Sequence, residues 1–379
     1  MASGLAWPGP FAFLLLFTTA GLASGTASHP CGKYSMYTEP FPWKPEVPLI
    51  VAKDGSGNCT SIQAAIDLLT WGKAAYRPRY TIAVRPGVYR EKLRVLPLTP
   101  PLTLEGRGDQ PKDVLVVWDD TEFPSTGPIG CRGNAHGEWD SQTLQVASDD
   151  FAAAQMVFWN AGCGNARGRN FAVAVTGDRA AFFGVQMWGT VDTFYTGFHR
   201  VYVRDSWING TGDFLFGIGS AVFENCEIQS ASGGSITAQK GRNLSEVDGA
   251  KGSCSLGVGS ACEAYLFLGG RLSRTPKVRD ESCYLGRPWH GDWATVIFKN
   301  VWMDAHIKAK GWDPWSAKCE DNATECSHIF YAEFNSYGPG SNPTARVKWS
   351  HQLHRPEAEH YSAARVLRGW IPVDPRDNV

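Results

Sequence analysis

The sequence has no excess of charge of either sign and no long apolar run beyond its first residues. Only 19% of its 379 residues are charged, and 36 Lys and Arg accompany 37 Asp and Glu, which gives a formal net charge of -1. Nucleic-acid-binding proteins usually carry a basic excess, so that class is not indicated. No later segment is apolar over the length of a transmembrane helix, so we expect no membrane attachment of the mature chain.

Signals of two other classes are also missing. The sequence contains no Cys-x-x-Cys pair, which weakens the case for a zinc site, and we expect no metal or organic cofactor. Two-residue Asn-Gly or Asp-Gly turns are scarce, which argues against an up-and-down barrel. With 43% hydrophobic residues, 41 Gly and 12% aromatic residues, the composition favours a turn-rich β protein with a substantial core.

The N-terminus has the features of a secretion signal. An apolar run at residues 11–17 is followed by small residues through Ala27. We therefore predict a signal peptide over residues 1–28, an extracellular or cell-wall location, and a single mature domain over residues 29–379.

The ten cysteines are consistent with that location, because an even number in a secreted chain indicates disulfides. Cys254 and Cys262, and likewise Cys319 and Cys326, are close enough to close small loops, although the connectivity stays open. Asn-x-Ser/Thr sequons make four residues candidates for glycosylation: Asn58, Asn209, Asn243 and Asn322.

Short apolar segments recur through the centre of the chain, separated by Gly, Asn, Asp and Ser. Similar segments lie at residues 156–162, 185–190, 206–211, 226–230 and 301–304. A repeat of about 20 to 28 residues with one such segment each predicts a solenoid whose coils stack their strands in parallel. A solenoid needs covered ends. We expect a helix at residues 61–69, with Ser61 as N-cap, over one end, and residues 357–367 outside the coils or over the other end.

Two aspartates occupy equivalent positions in successive repeats. Asp192 follows Gly189-Thr-Val, and Asp213, 21 residues later, follows Gly210-Thr-Gly. Positions one repeat apart lie on neighbouring strands, about 4.8 Å from each other. Two carboxylates that close do not ionise equally, so one becomes an acid and the other a base or nucleophile. The alternative is that each Asp only caps a turn.

A cation and aromatic rings complete the candidate site. Arg287 lies between Gly286 and Pro288, which predicts a rigid turn, and its guanidinium is expected to lower the pKa of a paired carboxylate. An ordinary surface Arg on a structural turn is the alternative. Flat aromatic rings suit sugar faces, so three tryptophans are placed near a substrate, although core positions are also common for Trp: Trp289, Trp312 and Trp315.

Ten stretches, in order along residues 49–372, carry a family resemblance: Val51-Ala-Lys-Asp-Gly-Ser-Gly57, Gln63-Ala-Ala-Ile-Asp67, Gly87-Val-Tyr-Arg-Glu91, Gly177-Asp-Arg-Ala-Ala-Phe182, Asp192-Thr-Phe-Tyr195, Gly212-Asp-Phe-Leu-Phe-Gly217, Ile236-Thr-Ala-Gln239, Tyr284-Leu-Gly-Arg-Pro-Trp289, Gly311-Trp312 and Tyr337-Gly-Pro-Gly340. Together they resemble the pectin methylesterases, also called pectinesterases. The resemblance implies an all-β fold, a right-handed parallel β-helix with short capping helices.

The resemblance also implies roles for the site residues. Asp213 looks like the nucleophile, Asp192 like the general acid and then base, and Arg287 like the residue that orients Asp213. Trp289 and Trp312 look like sugar-contacting residues. The implied protein is a monomeric enzyme that removes methyl groups from the polysaccharide pectin, without a cofactor, and modifies the cell wall.

Two positions depart from the family pattern. The family usually has Gln directly before the first Asp, where this chain has Val191, and a second Gln where this chain has Arg169, beside Asn170. Those Gln side chains help to form the family's oxyanion hole. Val191 has no donor, whereas Arg169 replaces an amide with a charged donor and is a candidate substrate-binding residue. Ser206 also replaces a Cys that in many plant members matches Cys226.

Three functions follow from these observations. The first is hydrolysis of pectin methyl esters, and the second is pectin binding without turnover, because the oxyanion positions are altered. The third is cleavage of the glycosidic chain, which also uses two carboxylates and is not excluded by their spacing.

Overall fold

The structure is a computed structural model that describes residues 30–32, 43–72, 78–121, 140–162, 169–241, 263–291, 293–315 and 328–378. Within these ranges no helix is long and apolar enough to cross a membrane. Several sequence predictions lie outside the described residues: the signal peptide, the sequons at Asn243 and Asn322, and the cysteine pairs Cys254/Cys262 and Cys319/Cys326.

The described strands form three parallel sheets, which we call A, B and C, and the chain visits them in that order in each coil. Sheet A contains Leu49–Val51, Tyr80–Val84, Leu102–Gly106, Ala152–Ala154, Ala180–Phe183, Arg200–Arg204, Ser220–Glu224, Tyr265–Leu268, Thr295–Lys299, Phe330–Phe334 and His351–Gln352. Sheet B contains Gly87–Tyr89, Val114–Trp118, Val157–Asn160, Gln186–Trp188, Trp207–Gly210, Glu227–Ser230, Arg271–Arg274 and Trp302–Met303. Sheet C contains Leu93–Val95, Leu144–Val146, Val173–Val175, Phe194–Tyr195, Leu215–Gly217, Gly234–Gln239 and Cys283–Gly286.

This arrangement confirms the predicted parallel β-helix. The five recurring sequence segments contain successive strands of sheet B, apart from the interruption between residues 230 and 301, where Arg271–Arg274 supplies a further strand. The period of the sequence therefore corresponds to one turn of the chain through all three sheets.

Like residues stack inside the coils. Phe223, Phe267 and Phe298 come from successive strands of sheet A, and their ring centroids are separated by 4.6 and 4.3 Å with nearly parallel planes. Each ring covers the apolar face of the next, so the interior is a column of side chains. Such a column fixes the register, because a slip of one residue would turn these rings to the opposite face of the sheet.

The corner between sheets A and B is short and repeats its backbone geometry. Two residues separate the strands in six successive coils, from Ala154 and Val157 to Lys299 and Trp302. The first residue after each of these six A strands, and after the further A strand Phe330–Phe334, has a positive φ of 51–64°, which Asn, Asp and Gly tolerate best: Gln155, Gly184, Asp205, Asn225, Gly269, Asn300 and Asn335. Side-chain amides join some of these positions, since Nδ2 of Asn335 donates to Oδ1 of Asn300 at 2.8 Å.

The predicted N-terminal helix is confirmed as Ile62–Trp71, and it packs against the strands of the first coil. Ser61 caps it by accepting a hydrogen bond from the backbone N–H of Ala64. The Glu91 carboxylate accepts further bonds from the backbone N–H groups of Ile62 and Gln63. The helix thus covers the otherwise open end of the core with its apolar face.

The C-terminal segment lies on the outer face of sheet A, which was one of the two predicted positions. Its helices are Arg355–His360 and Ala363–Val366, and Tyr361 and Val366 are buried with outward-facing residues of sheet A such as Val222. Short 3-10 helices lie at Pro111–Asp113, Trp289–Gly291, Pro343–Ala345 and Pro375–Asn378.

Among the described cysteines, Cys31 and Cys59 form a disulfide, whereas Cys226 and Cys283 are buried free thiols. Ser206 lies opposite Cys226 in the extended register of sheet B, and its Oγ accepts a hydrogen bond from the backbone N–H of Val185. Burial raises the pKa of Cys226 to about 12, so this thiol stays protonated and packs as a core residue.

The repeated corner geometry generates a stability prediction. Asn300→Val should lower the free energy of unfolding by about 1–2 kcal/mol, because a β-branched residue is strained at φ 57°. Asn300→Asp, which keeps the acceptor for Asn335, should stay within about 0.5 kcal/mol of wild type. Urea denaturation followed by circular dichroism measures both, and an equal loss in the two variants would contradict the argument.

Candidate active site

The two predicted aspartates occupy the same point on successive coils. Each lies in the turn from sheet B to sheet C, two residues before a strand, and those strands pair Phe194 with Leu215. Asp192 therefore lies opposite Asp213, and its backbone N–H donates to the carbonyl of Gly212 at 3.4 Å. Both residues have positive φ angles, of 62° and 56°. The matching backbone directs both carboxylates from equivalent positions, one strand spacing (about 4.8 Å) apart.

Arg287 holds Asp213 from the far side of the site. Its Nε donates to Oδ1 of Asp213 at 2.9 Å, and its Nη2 donates to Oδ2, so the pair is bidentate. The guanidinium carbon also lies 4.3 Å from the ring centroid of Trp315, a cation–π contact. Two contacts on two sides of the guanidinium fix the orientation of the carboxylate it binds.

The turn that carries Arg287 depends on Gly286 for space. A Cβ atom at Gly286 would lie 1.9 Å from Oγ1 of Thr237 on the neighbouring strand, so no larger residue fits. The backbone carbonyl of Thr237 also accepts a 2.9 Å hydrogen bond from the backbone N–H of Arg287. Glycine is needed here for close approach of two strands, since its φ is not positive.

Burial and the neighbouring Arg287 shift the pKa of Asp213 in opposite directions. Burial raises the pKa of the Asp213 carboxyl above its ordinary value of 3.8, and Arg287, which lowers that pKa, offsets only part of the effect. The expected lowering of the pKa by the Arg287 guanidinium is confirmed, but the removal of water from the carboxylate outweighs it.

Arg169 lies against the other aspartate, Asp192. Its Nε is 3.3 Å from Oδ2 of Asp192, whose side chain is only 9% exposed, whereas the Arg169 side chain is 42% exposed. The neighbouring Asn170 is buried, and its Nδ2 donates to the carbonyl of Gly162 at 2.7 Å. Asn170 therefore has a structural role, and Arg169 is the side chain of this segment that reaches the carboxylates.

An aromatic cluster borders the carboxylates on the outer face of sheet C. Phe194 and Leu215 point into the core, so strand alternation turns Tyr195 and Phe216 outward. The ring centroids of Tyr195 and Phe216 are 5.0 Å apart, and the partly buried Trp289 packs edge-on against Phe216 at 5.7 Å. The structure thus places the predicted Trp289 on the outer face of sheet C, against Phe216.

Comparisons with known proteins identify the family of this chain. A family model described as Pectinesterase matches residues 48–370. Pectinesterase 31 of Arabidopsis thaliana is 32% identical over 311 residues, which span 82% of this chain and 89% of the relative. The chain belongs to the pectinesterase family.

Solved pectin methylesterases share the fold. The enzyme from carrot has a TM-score of 0.69 at 22% identity, over 86% of this chain and 95% of that one. A pectin methylesterase in complex with a hexasaccharide has a TM-score of 0.65 at 25% identity, over 86% of this chain and 98% of that one. These similarities support the parallel β-helix and an enzyme of the pectinesterase class.

The expected sugar contact of Trp312 is corrected by the structure. Its side chain is 0% exposed and lies in the main core, with ring centroids 4.3 Å from Tyr331 and 5.8 Å from Phe298. The backbone of Trp312 forms a β-bridge with Gly286 and so extends sheet C, but the Trp312 ring lies on the inner side of that sheet. The Gly-Trp motif identifies the Trp, but it does not indicate whether the ring points into the core or toward solvent.

Asp313 is a site residue that the sequence reasoning missed. Its backbone N–H donates to the carbonyl of Gly286, and its Oδ1 accepts a 2.9 Å bond from the backbone N–H of Trp315. It thereby positions the ring that stacks on Arg287, and its negative charge adds to the rise in the pKa of Asp213 that burial causes. The available signal was the Asp-Pro-Trp sequence, which favours a side-chain-capped turn.

The balance of burial and charge predicts a titration of Asp213. Its carboxyl should titrate with a midpoint above 3.8, and Arg287→Gln should move that midpoint further upward, because the variant removes the cation that favours the ionised form.

Carbon-detected NMR of labelled Asp carboxyls measures this, with Asp213→Asn to identify the signal. The exposed Asp54, whose hydrogen bonds from Ser56 lower its pKa, is an internal control with a midpoint below 3.8. A wild-type Asp213 midpoint at or below 3.8, or a downward shift in the variant, would contradict the stated cause.

Proposed function

We propose that this chain hydrolyses the methyl esters of pectin and releases methanol, which leaves free carboxylates on the polymer. The observation that carries the proposal is the bidentate hold of Arg287 on Asp213, one coil away from Asp192. Membership of the pectinesterase family supports the substrate class. The comparisons give no support to the alternative of a chain-cleaving glycosidase.

The first half-reaction uses both carboxylates. Ionised Asp213 attacks the C6 carbonyl carbon of a methylated galacturonate. Because its orientation is already fixed, less entropy is lost in reaching the reactive geometry. The C–O bond to the methoxy group then breaks, and protonated Asp192 gives its proton to the leaving oxygen. The product is an acyl-enzyme on Asp213, with methanol released and Asp192 ionised.

The second half-reaction regenerates the enzyme. Asp192 takes a proton from a water molecule, whose oxygen attacks the acyl carbon. The bond to Asp213 breaks, the polymer leaves with a free carboxyl group, and Asp192 is again protonated. Asp192 is thus acid in the first step and base in the second, which requires the two aspartates to differ in protonation state.

Arg169 is the candidate donor to the oxyanion that forms during both attacks. It occupies one of the two positions where the resemblance implies a Gln, and its guanidinium lies within reach of the carboxylate pair. Val191, at the other position, has no hydrogen-bond donor. Loss of one oxyanion donor typically costs about 10²–10³ in rate, so Arg169 bears more of this stabilisation than an amide would.

The surroundings support a polysaccharide substrate. Trp289 is the candidate sugar-contacting residue, beside the outward-facing cluster of Tyr195 and Phe216. A structural relative has been described in complex with a hexasaccharide, which supports an oligosaccharide as ligand of this chain. We also propose a secreted, monomeric protein of the cell wall, in which residues 29–379 form one domain.

The nucleophile assignment predicts a specific loss. Asp213→Asn should lower the rate of methanol release from highly methylated pectin by at least about 10³-fold, because an amide is a poor nucleophile of almost unchanged shape. Asp205→Asn is the matched control, since Asp205 also has a positive φ but lies at a corner of sheets A and B. An Asp213→Asn enzyme with wild-type turnover would remove the proposed mechanism.

A pectin-binding protein without turnover is the second candidate, and Val191 is the observation that favours it. Val191→Gln separates the two candidates because it adds the missing donor. For an enzyme with an incomplete oxyanion hole, kcat should rise by about 10- to 100-fold with little change in KM. Pectin binding without methanol release from either protein would instead support the non-catalytic function.

A further inference from the structure

Asn209 is a sequon residue that the proposed chemistry does not use. It begins Asn209-Gly-Thr211, one of two sequons within the described residues, and the other begins at Asn58. The preceding Ile208 points into the core, so strand alternation turns Asn209 to the outer face of sheet B. Asn209 is partly exposed there, on a face of the molecule different from that of the carboxylate site.

Three tryptophans form an aromatic cluster on the same outer face, and we call Trp159, Trp188 and Trp207 the tryptophan face. Trp188 is the register partner of Asn209, one strand spacing (about 4.8 Å) away, and Trp159 is in turn the partner of Trp188. The ring centroid of Trp188 lies 5.8 Å from that of Trp159 and 5.7 Å from that of Trp207. The sequon therefore adjoins the tryptophan face directly.

Apolar residues of earlier coils extend this face. Val117 pairs with Trp159, and Leu115, two residues before Val117, pairs with Val88. Val88 is 55% exposed and Trp159 is 37% exposed. A continuous apolar surface of this kind marks a contact site or an aggregation hazard. Flat aromatic rings suit the apolar faces of sugars, so a sugar is a chemically matched cover for the tryptophan face.

The Asn209 amide is compatible with attachment of a sugar. Its Nδ2 donates to Oε1 of Gln229 at 3.1 Å and to the Gln229 carbonyl at 3.4 Å. In N-glycosylation the bond between C1 of the first sugar and the pyrophosphate oxygen of a lipid-linked oligosaccharide breaks, and C1 forms a bond to Nδ2. The displaced amide proton leaves with the lipid pyrophosphate. One N–H remains on Nδ2, which is enough to keep the shorter bond to Gln229.

We propose that Asn209 carries an N-linked glycan whose first sugar packs on Trp188 and covers the tryptophan face. The inference rests on the secretion proposed above, because the lipid-linked donor acts on chains that enter the secretory pathway. It does not rest on the esterase chemistry. The glycan shields the rings from other chains and adds a stabilising contact on sheet B.

Mass spectrometry tests whether Asn209 is modified. The full chain is expressed in cultured eukaryotic cells, and peptide N-glycosidase in heavy-oxygen water then converts each glycosylated Asn into a labelled Asp. We expect the label at position 209 in protein from the medium. An unlabelled position 209 in secreted protein would overturn the inference alone. A chain found only inside the cells and without label would overturn both the inference and the proposed secretion.

A double-mutant cycle tests the contact between the sugar and the ring. Asn209→Gln removes the glycan and keeps an amide opposite Gln229, and it should lower the midpoint of thermal unfolding by about 1–3 °C. With Trp188→Leu already present, the same change should lower the midpoint by less than about half as much, because the flat ring is gone. Thr211→Val, which removes the sequon and leaves Asn209 in place, should reproduce the result.

Asn58→Gln is the matched control, because it removes the other described sequon, which lies beside the first strand of sheet A. Its effect on the unfolding midpoint should be the same with and without Trp188→Leu. If Asn209 is glycosylated but its removal has equal effects with and without Trp188→Leu, the packing on Trp188 is wrong.

A methanol assay on the same preparations separates this inference from the proposed function. Methanol release by secreted protein with unmodified Asn209 overturns the inference alone. A glycan at Asn209 that is coupled to Trp188, in a protein that releases no methanol, supports the inference and overturns the esterase function.

Discussion

The pairing of Arg287 with Asp213 is the interaction on which the site depends. The two residues are 74 positions apart in sequence and meet only because the chain has completed further coils between them. Their contact requires the register of sheet C on one side and the close approach of Gly286 to Thr237 on the other. Any change in the winding of the coils between them would therefore separate the cation from its carboxylate.

The repeated backbone conformation of successive coils brings two carboxylates close together. Asp192 and Asp213 share a positive φ, a turn and a strand partner, so their equivalence comes from the fold. Their difference comes from their neighbours: Asp213 is held by Arg287, while Asp192 contacts Arg169. The proposed division into acid and nucleophile thus rests on unequal surroundings at two equivalent positions.

Much of this arrangement could be predicted from the sequence. The 21-residue spacing of the aspartates equals one coil, and Ser61 with its following apolar pattern marked the helix Ile62–Trp71. Both signals are local or periodic in the sequence, so they do not depend on packing between distant segments. Trp289 packs against the aromatic cluster of sheet C, and its contact with a sugar stays a prediction.

Other features could not be predicted, because they depend on quantities that a motif does not contain. The inward turn of Trp312 follows from which side of the sheet faces the core, and the raised pKa of Asp213 follows from how much water its carboxylate loses. The contact of Arg169 with Asp192 was likewise not foreseen, because the resemblance assigned position 169 to the substrate. All three outcomes are set by packing between segments distant in sequence.

The two-residue corners between sheets A and B also define where this scaffold accepts change. From Ala154 to Trp302 their constant length keeps successive coils in step, whereas an earlier coil accommodates a longer corner between Gly106 and Val114. The corner from sheet C to sheet A varies in length, as the connection from Gln239 to Tyr265 in the next coil shows. Grafted peptides or alternative recognition loops therefore belong at that corner, away from the turns that carry Asp192 and Asp213.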